Sequence, residues 1–139
     1  MYDEYDIQRL LEGIKEYGLS APSEMLEAPT EKLVEICNGI GDGQMPTALR
    51  KILNRVLNFA ECSAAIHDWR YANSDGTQSS RLAADKEFRA NMLDEISRKE
   101  RWFKWLKEWS ALRAYYAVRS CGYADWCIAF TEANRKENV

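Results

Sequence analysis

The chain has one histidine, His67, so any imidazole chemistry must pass through it. Two-histidine zinc sites, HExxH proteases and the multi-histidine metal phosphohydrolases are excluded. His67 sits in Cys62-Ser63-Ala64-Ala65-Ile66-His67-Asp68-Trp69-Arg70-Tyr71. On a helix, four-residue spacing puts Ser63, His67 and Tyr71 on one stripe, and Asp68 points about 100° away. One helix can therefore present a base to one side and a metal ligand to the next. A second acid, Asp85, shares a helical stripe with Phe88 and Met92 and should face the interior. A buried carboxylate needs partners, and His67 and Tyr71 are suitable ones.

The elements that must position these groups read as helices throughout. There are three prolines, no alternating Val/Ile/Thr-rich runs, and apolar residues at helical spacing. The expected fold is all-α: one small helical domain over 1–139, with two antiparallel central helices carrying the site. Within it, 1–36 supplies N-terminal helices, 37–96 the core of the site, 97–130 an aromatic-rich helix and 131–139 a polar tail. Ile7, Leu10, Leu11 and Ile14 mark a first helix ending near Gly18, and Thr30 is a candidate N-cap for the next, which Asn38-Gly39 stops. A helical pattern from Thr47 runs to Tyr71 as one helix or two, closed by Asn73-Ser74-Asp75-Gly76. Ser79 or Ser80 is expected to cap the helix of Asp85, and Gly122 to end the aromatic-rich helix begun near Arg101.

Composition limits the function classes. With 139 residues, 46% of them hydrophobic, the chain can bury one core. A net charge of −3 and a pI near 5.3 argue against a nucleic-acid binder. No stretch has the length of a membrane span, and the acidic Met1–Asp6 segment lacks a signal peptide's apolar run, so a cytoplasmic location is expected, with release or delivery by a non-classical route open. Cys37, Cys62, Cys121 and Cys127 lack zinc-site pairing and are expected to be reduced thiols, a Cys37–Cys62 bridge being conceivable only after export.

His-Asp-x-x-Tyr on a helix, preceded by a glycine loop ending in proline, resembles the phospholipase A2 superfamily. The loop is Asn38-Gly39-Ile40-Gly41-Asp42-Gly43-Gln44-Met45-Pro46. Its first two glycines and its proline align with the family loop without a gap, and Asp42 and Gln44 stand where further glycines are usual. Ala84-Asp85 resembles the family's aspartate on the following antiparallel helix. The spacing is closest to short viral and phage-associated members, here implying a bacterial or phage setting, and the match covers about Cys37 to Phe88. The stretch from Pro46 to His67 is longer than in the secreted enzymes, and their paired cysteines are missing.

The resemblance implies calcium-assisted hydrolysis of a glycerophospholipid ester. His67 would take a proton from water, Asp85 would hold the imidazole in the right tautomer, and Tyr71 would support Asp85; Tyr115 or Tyr116 would reach the same carboxylate. Calcium would be held by Asp68 and by loop carbonyls at Asn38 or Cys37, Gly39 and Gly41, since calcium prefers oxygen ligands. The implied partner is a phospholipid membrane surface, visited transiently. The alternative reading is a catalytically inactive, phage- or mobile-element-derived interaction protein on the same scaffold; a third is a helical adaptor in which His67 is purely structural.

Two further features are read by their commoner meanings. Trp102, Phe103, Trp105, Leu106, Trp109, Leu112 and Tyr116, interleaved with cations, could rest in a lipid headgroup layer, but helical spacing favours the core. Arg81, four residues before Asp85, could pair with that acid, but is expected to be solvated.

Overall fold

The computed structural model describes residues 1–39, 54–55, 58–99 and 102–137, with the backbone alone for 39 and 121–137. The described residues form six helices and no strand: α1 (Glu4–Glu16), α2 (Ser23–Leu26), α3 (Thr30–Gly39), α4 (Glu61–Ala72), α5 (Gln78–Lys99) and α6 (Lys104–Glu137). No helix among them is long and apolar enough to cross a membrane.

Local chemistry explains where several helices start. Asp3 and Asp6 cap each other's backbone N–H at the head of α1, at 2.9 and 3.1 Å, satisfying donors that the first turn leaves unpaired. From there Ile7, Leu10 and Ile14 bury one stripe, and Gly18, at φ 61°, turns the chain out of α1. Between α4 and α5, Gly76 takes φ 81°, Asp75 accepts from the Thr77 N–H at 2.9 Å, and the Thr77 hydroxyl accepts from Ser80 N–H at 3.1 Å. Thr77 therefore caps α5, correcting the expectation of Ser79 or Ser80: the cap must stand three residues before the N–H it satisfies.

Helix α4 is packed on both sides. Cys62, Ala65, Ile66 and Trp69 join α1, α2 and α3 in one apolar cluster around Leu10, Met25 and Leu33. Tyr71, with Phe59 and Ala60 just before the helix, joins a second cluster of Phe88, Met92 and Ile96 from α5 and Ala111, Ala114 and Val118 from α6. The contacts Tyr71–Asp85, Arg70–Glu87 and Ser63–Glu95 recede along α4 while advancing along α5, so the two helices are antiparallel.

Polar groups lock this arrangement. The α4 N-terminus has no local side-chain cap. Instead the fully buried Glu95 of α5 accepts from the N–H groups of Cys62 and Ser63 at 3.3 and 2.9 Å and from the Ser63 hydroxyl at 2.6 Å, and pairs with Lys99. A carboxylate here meets both the orphan N–H groups and the positive end of the helix dipole. Asn91 grips the Ser20 backbone at both its N–H and its carbonyl, 2.9 and 2.8 Å, tying the α1–α2 link to α5.

Two expectations fail in α6. The helix runs unbroken through Gly122 to Glu137, well into the segment expected to be a polar tail. A helix-interior glycine costs only about 1 kcal/mol relative to alanine, which a long helix can absorb. The aromatic segment is also largely outside the core: Trp102, Phe103, Trp105, Trp109 and Tyr116 are between 62% and 79% exposed. The interior takes the small stripe Ala111, Ala114 and Val118 instead, which allows close approach to α5.

Candidate functional site

The shared face of α4 and α5 brings His67, Tyr71 and Asp85 together. His67 Nε2 lies 2.8 Å from Asp85 Oδ1, and the Tyr71 hydroxyl donates to the same oxygen at 2.6 Å. Asp85 is fully buried. Its second oxygen accepts from Arg119 Nη1 of α6 at 2.8 Å. Burial alone would raise the Asp85 carboxyl, but its interactions with His67, Tyr71 and Arg119 hold it below the usual aspartate range. Tyr71 moves the opposite way: burial and its bond to Asp85 raise the phenol, so it stays a donor.

An ionised Asp85 fixes the tautomer of His67. The carboxylate can only accept, so Nε2 carries the proton and Nδ1 keeps its lone pair. Among the described residues no hydrogen-bond partner meets Nδ1. Phe88 stacks on the ring at 4.5 Å between centroids and Tyr71 tilts against it at 4.2 Å, which fixes its plane. The set can therefore present an oriented lone pair with a buried negative charge behind it. That is the requirement for removing a proton and stabilising the imidazolium that results.

Asp68 faces the other way, toward the end of α3 and the N-terminal segment, where its charge is felt by Cys37 and Tyr2. The residue keeps some exposed surface, but protein surrounds the carboxyl group and burial pushes it up to about 8. No hydrogen bond or ion pair reaches it among the described residues. Asn38, next to Cys37, clamps the Tyr2 backbone at both its N–H and carbonyl, each at 2.7 Å, so its side chain is committed and only its carbonyl is available as a ligand. Gly39 is the last residue of α3, at a helix end whose final carbonyls lack partners within the helix. Gly41 and the loop through Pro46 lie outside the described residues. No three His, Cys, Asp or Glu side chains converge among the described residues, so a cation at Asp68 would draw on backbone oxygens. The Asp68 carboxyl, without a partner among the described residues and raised by burial, would have to release its proton on binding such a cation.

Other expectations are corrected here. Neither Tyr115 nor Tyr116 reaches Asp85: Tyr116 is exposed and Tyr115 lies under Arg89 at 5.4 Å. Arg119 takes that place, three residues after Tyr116. Arg81 is not solvated but 3% exposed, donating to the Val118 and Arg119 carbonyls at 2.8 and 3.2 Å. It thereby fastens the turn of α6 that carries Arg119. Cys37 and Cys62, by contrast, are free thiols as expected, each pushed up to about 12 by burial. Glu95 was legible: it follows Phe88 by seven residues, the stripe logic that exposed Asp85. Arg119 had a weaker signal, adjoining the small-residue stripe of α6.

The hydrogen bond from Arg119 has a testable linkage. Asp85's folded value lies below its unfolded one, so its stabilisation is complete above about pH 4 and lost as pH falls through the folded value. Arg119→Gln is expected to lower unfolding free energy at pH 7 by roughly 1.5–3 kcal/mol. The deficit should shrink in acid, where a protonated Asp85 no longer holds Arg119 in the wild type. Urea denaturation at both pH values measures this, and a deficit independent of pH would contradict it.

The fold and site define an all-helical domain built around a buried acid, imidazole, phenol and guanidinium. Comparison with family models, curated proteins and solved structures gives no match for the chain.

Proposed function

We propose that this chain hydrolyses a glycerophospholipid ester with calcium assistance, in the manner of the phospholipase A2 superfamily that its motifs resemble. The observation that carries the proposal is the pairing of His67 Nε2 with the buried Asp85, on a helix whose next residue, Asp68, is a shielded carboxyl group without a partner among the described residues. Water donates a proton to Nδ1 as its oxygen attacks the ester carbonyl carbon. The tetrahedral intermediate then expels the lysophospholipid oxygen, which recovers that proton from the imidazolium, yielding a free fatty acid. Asp85 stays ionised throughout and stabilises the imidazolium; Tyr71 and Arg119 hold it in place. Asp68, with carbonyls of Asn38 or Cys37, Gly39 and Gly41, would hold calcium, whose chemistry there is to polarise the ester carbonyl and offset its developing charge.

The shielding of His67, 8% exposed, favours the second reading, an interaction protein that keeps the scaffold without catalysis. Calcium separates the two. The hydrolase reading expects a melting temperature higher by roughly 5–10 °C at calcium a hundredfold above its dissociation constant, a stabilisation of about 2.7 kcal/mol. Asp68→Asn should remove that shift, and a chelator should stop fatty-acid release from phosphatidylcholine vesicles. No shift at millimolar calcium, with no calcium-dependent release, would favour the interaction protein.

A further inference from the structure

Helix α6 has two apolar faces. Ala111, Ala114 and Val118 point into the core. Trp105, Trp109, Leu112 and Tyr116 recur at four-, three- and four-residue steps on the opposite side, since a two-residue offset such as Trp109 to Ala111 turns about 200°. Trp105, Trp109 and Tyr116 stand in solvent, as do Trp102 and Phe103 just before the helix. Phe103 has φ 58°, a left-handed conformation that a bulky aromatic side chain rarely adopts. Phe103 therefore leads into α6 on a strained backbone, with its own ring and that of Trp102 exposed.

Charge is segregated to the same place. The described residues 98–99 and 102–113 hold five cations against one anion, a local charge of +4 in a chain of net −3, so the other residues sum to −7. Lys104 and Arg113, both exposed, flank the aromatic stripe on its two sides, and Glu108 on that margin pairs with Lys104 at 3.6 Å. A molecule polarised in this way turns its aromatic corner toward a negative surface.

We propose that this outer face of α6 is a docking surface for an anionic lipid membrane, the helix lying in the headgroup plane with Trp102, Phe103, Trp105 and Trp109 inserted. Tryptophan, with an apolar body and one polar N–H, favours that boundary, and lysine stems can lie along it with the ammonium in the headgroups. A two-fold pair of copies through this face would set +4 against +4, so charge favours lipid over a second copy. The proposal rests on no step of the hydrolysis above.

The test is co-sedimentation of the full chain with vesicles in calcium-free buffer, so that no turnover intervenes. Binding to phosphatidylcholine vesicles containing phosphatidylserine should exceed binding to pure phosphatidylcholine and weaken with salt, with a blue shift of tryptophan emission. Each of Trp102→Ala, Trp105→Ala and Trp109→Ala should weaken partitioning about tenfold, and Lys104→Glu by several-fold, with unchanged melting temperatures because all four side chains are exposed. His67→Gln should bind like the wild type, which keeps this result separate from any failure of the hydrolase reading. Equal binding to neutral and charged vesicles, retained binding by the triple tryptophan variant, or a concentration-dependent dimer broken by Trp109→Ala would each overturn the proposal.

Discussion

His67→Gln is expected to leave a folded protein that releases fatty acid from phospholipid vesicles roughly 10²–10⁴ times more slowly than the wild type. Glutamine is close to histidine in length, and its side-chain N–H can still donate toward Asp85 Oδ1, which His67 Nε2 meets at 2.8 Å. The buried acid therefore keeps three donors, and the melting temperature should move by only a few degrees. What disappears is the basic lone pair at Nδ1, which an amide cannot supply at neutral pH. Asp85→Ala is a poorer probe, because it strands Tyr71 and Arg119 as well as the imidazole and so mixes folding with catalysis. Release of fatty acid, followed by titration beside circular dichroism of the same sample, decides the matter. Activity within tenfold of wild type in a folded His67→Gln protein would make the histidine structural and overturn its role as the base, whereas no release by the wild type itself would leave the chain an adaptor.

The largest expected effect on stability belongs to a residue outside the proposed chemistry. Glu95→Ala should lower the unfolding free energy by roughly 3–5 kcal/mol, against a total of about 5–15 kcal/mol for a domain of this kind. The substitution leaves the Cys62 and Ser63 N–H groups and the Ser63 hydroxyl without their buried acceptor, and leaves a cavity where the side chain was wholly enclosed. Lys99 suffers less, since its partly exposed ammonium can swing to water. Glu95→Gln, which keeps an acceptor oxygen but loses the charge facing the helix dipole, should cost clearly less. Urea denaturation of both variants measures the difference. A loss below about 1 kcal/mol for Glu95→Ala would show that α4 does not depend on this remote cap. Because Ser63 and His67 are one turn apart on α4, any surviving Glu95→Ala protein should also misplace the imidazole and lose activity beyond its loss of fold.

Particular residues show how much could be read in advance. The helical class, the turn at Asn73–Gly76 and the common face of Ser63, His67 and Tyr71 are consequences of local spacing. Turn chemistry and a 3.6-residue period depend only on neighbours along the chain. The inward orientation of Asp85 also followed from its place among Phe88 and Met92. Applied evenly, the same argument would have marked Glu95, which follows Phe88 by seven residues. The glycine loop was equally visible as a motif, and from Ile40 to Pro46 it lies outside the described residues.

Sequence alone determined the helical class and the short antiparallel turn that lets an acid on α5 face an imidazole on α4. Only the tertiary structure decided which apolar stripe of α6 enters the core, because two such stripes compete and periodicity ranks neither. Packing chose Ala111, Ala114 and Val118, whose small side chains let α6 approach α5 closely, and left the tryptophans outside. That rotation also brings Arg119, rather than a tyrosine, against Asp85. The partner of a buried charge depends on the angle at which a third helix arrives, and that angle is set by shape across the whole interface, not by any stretch of neighbouring residues.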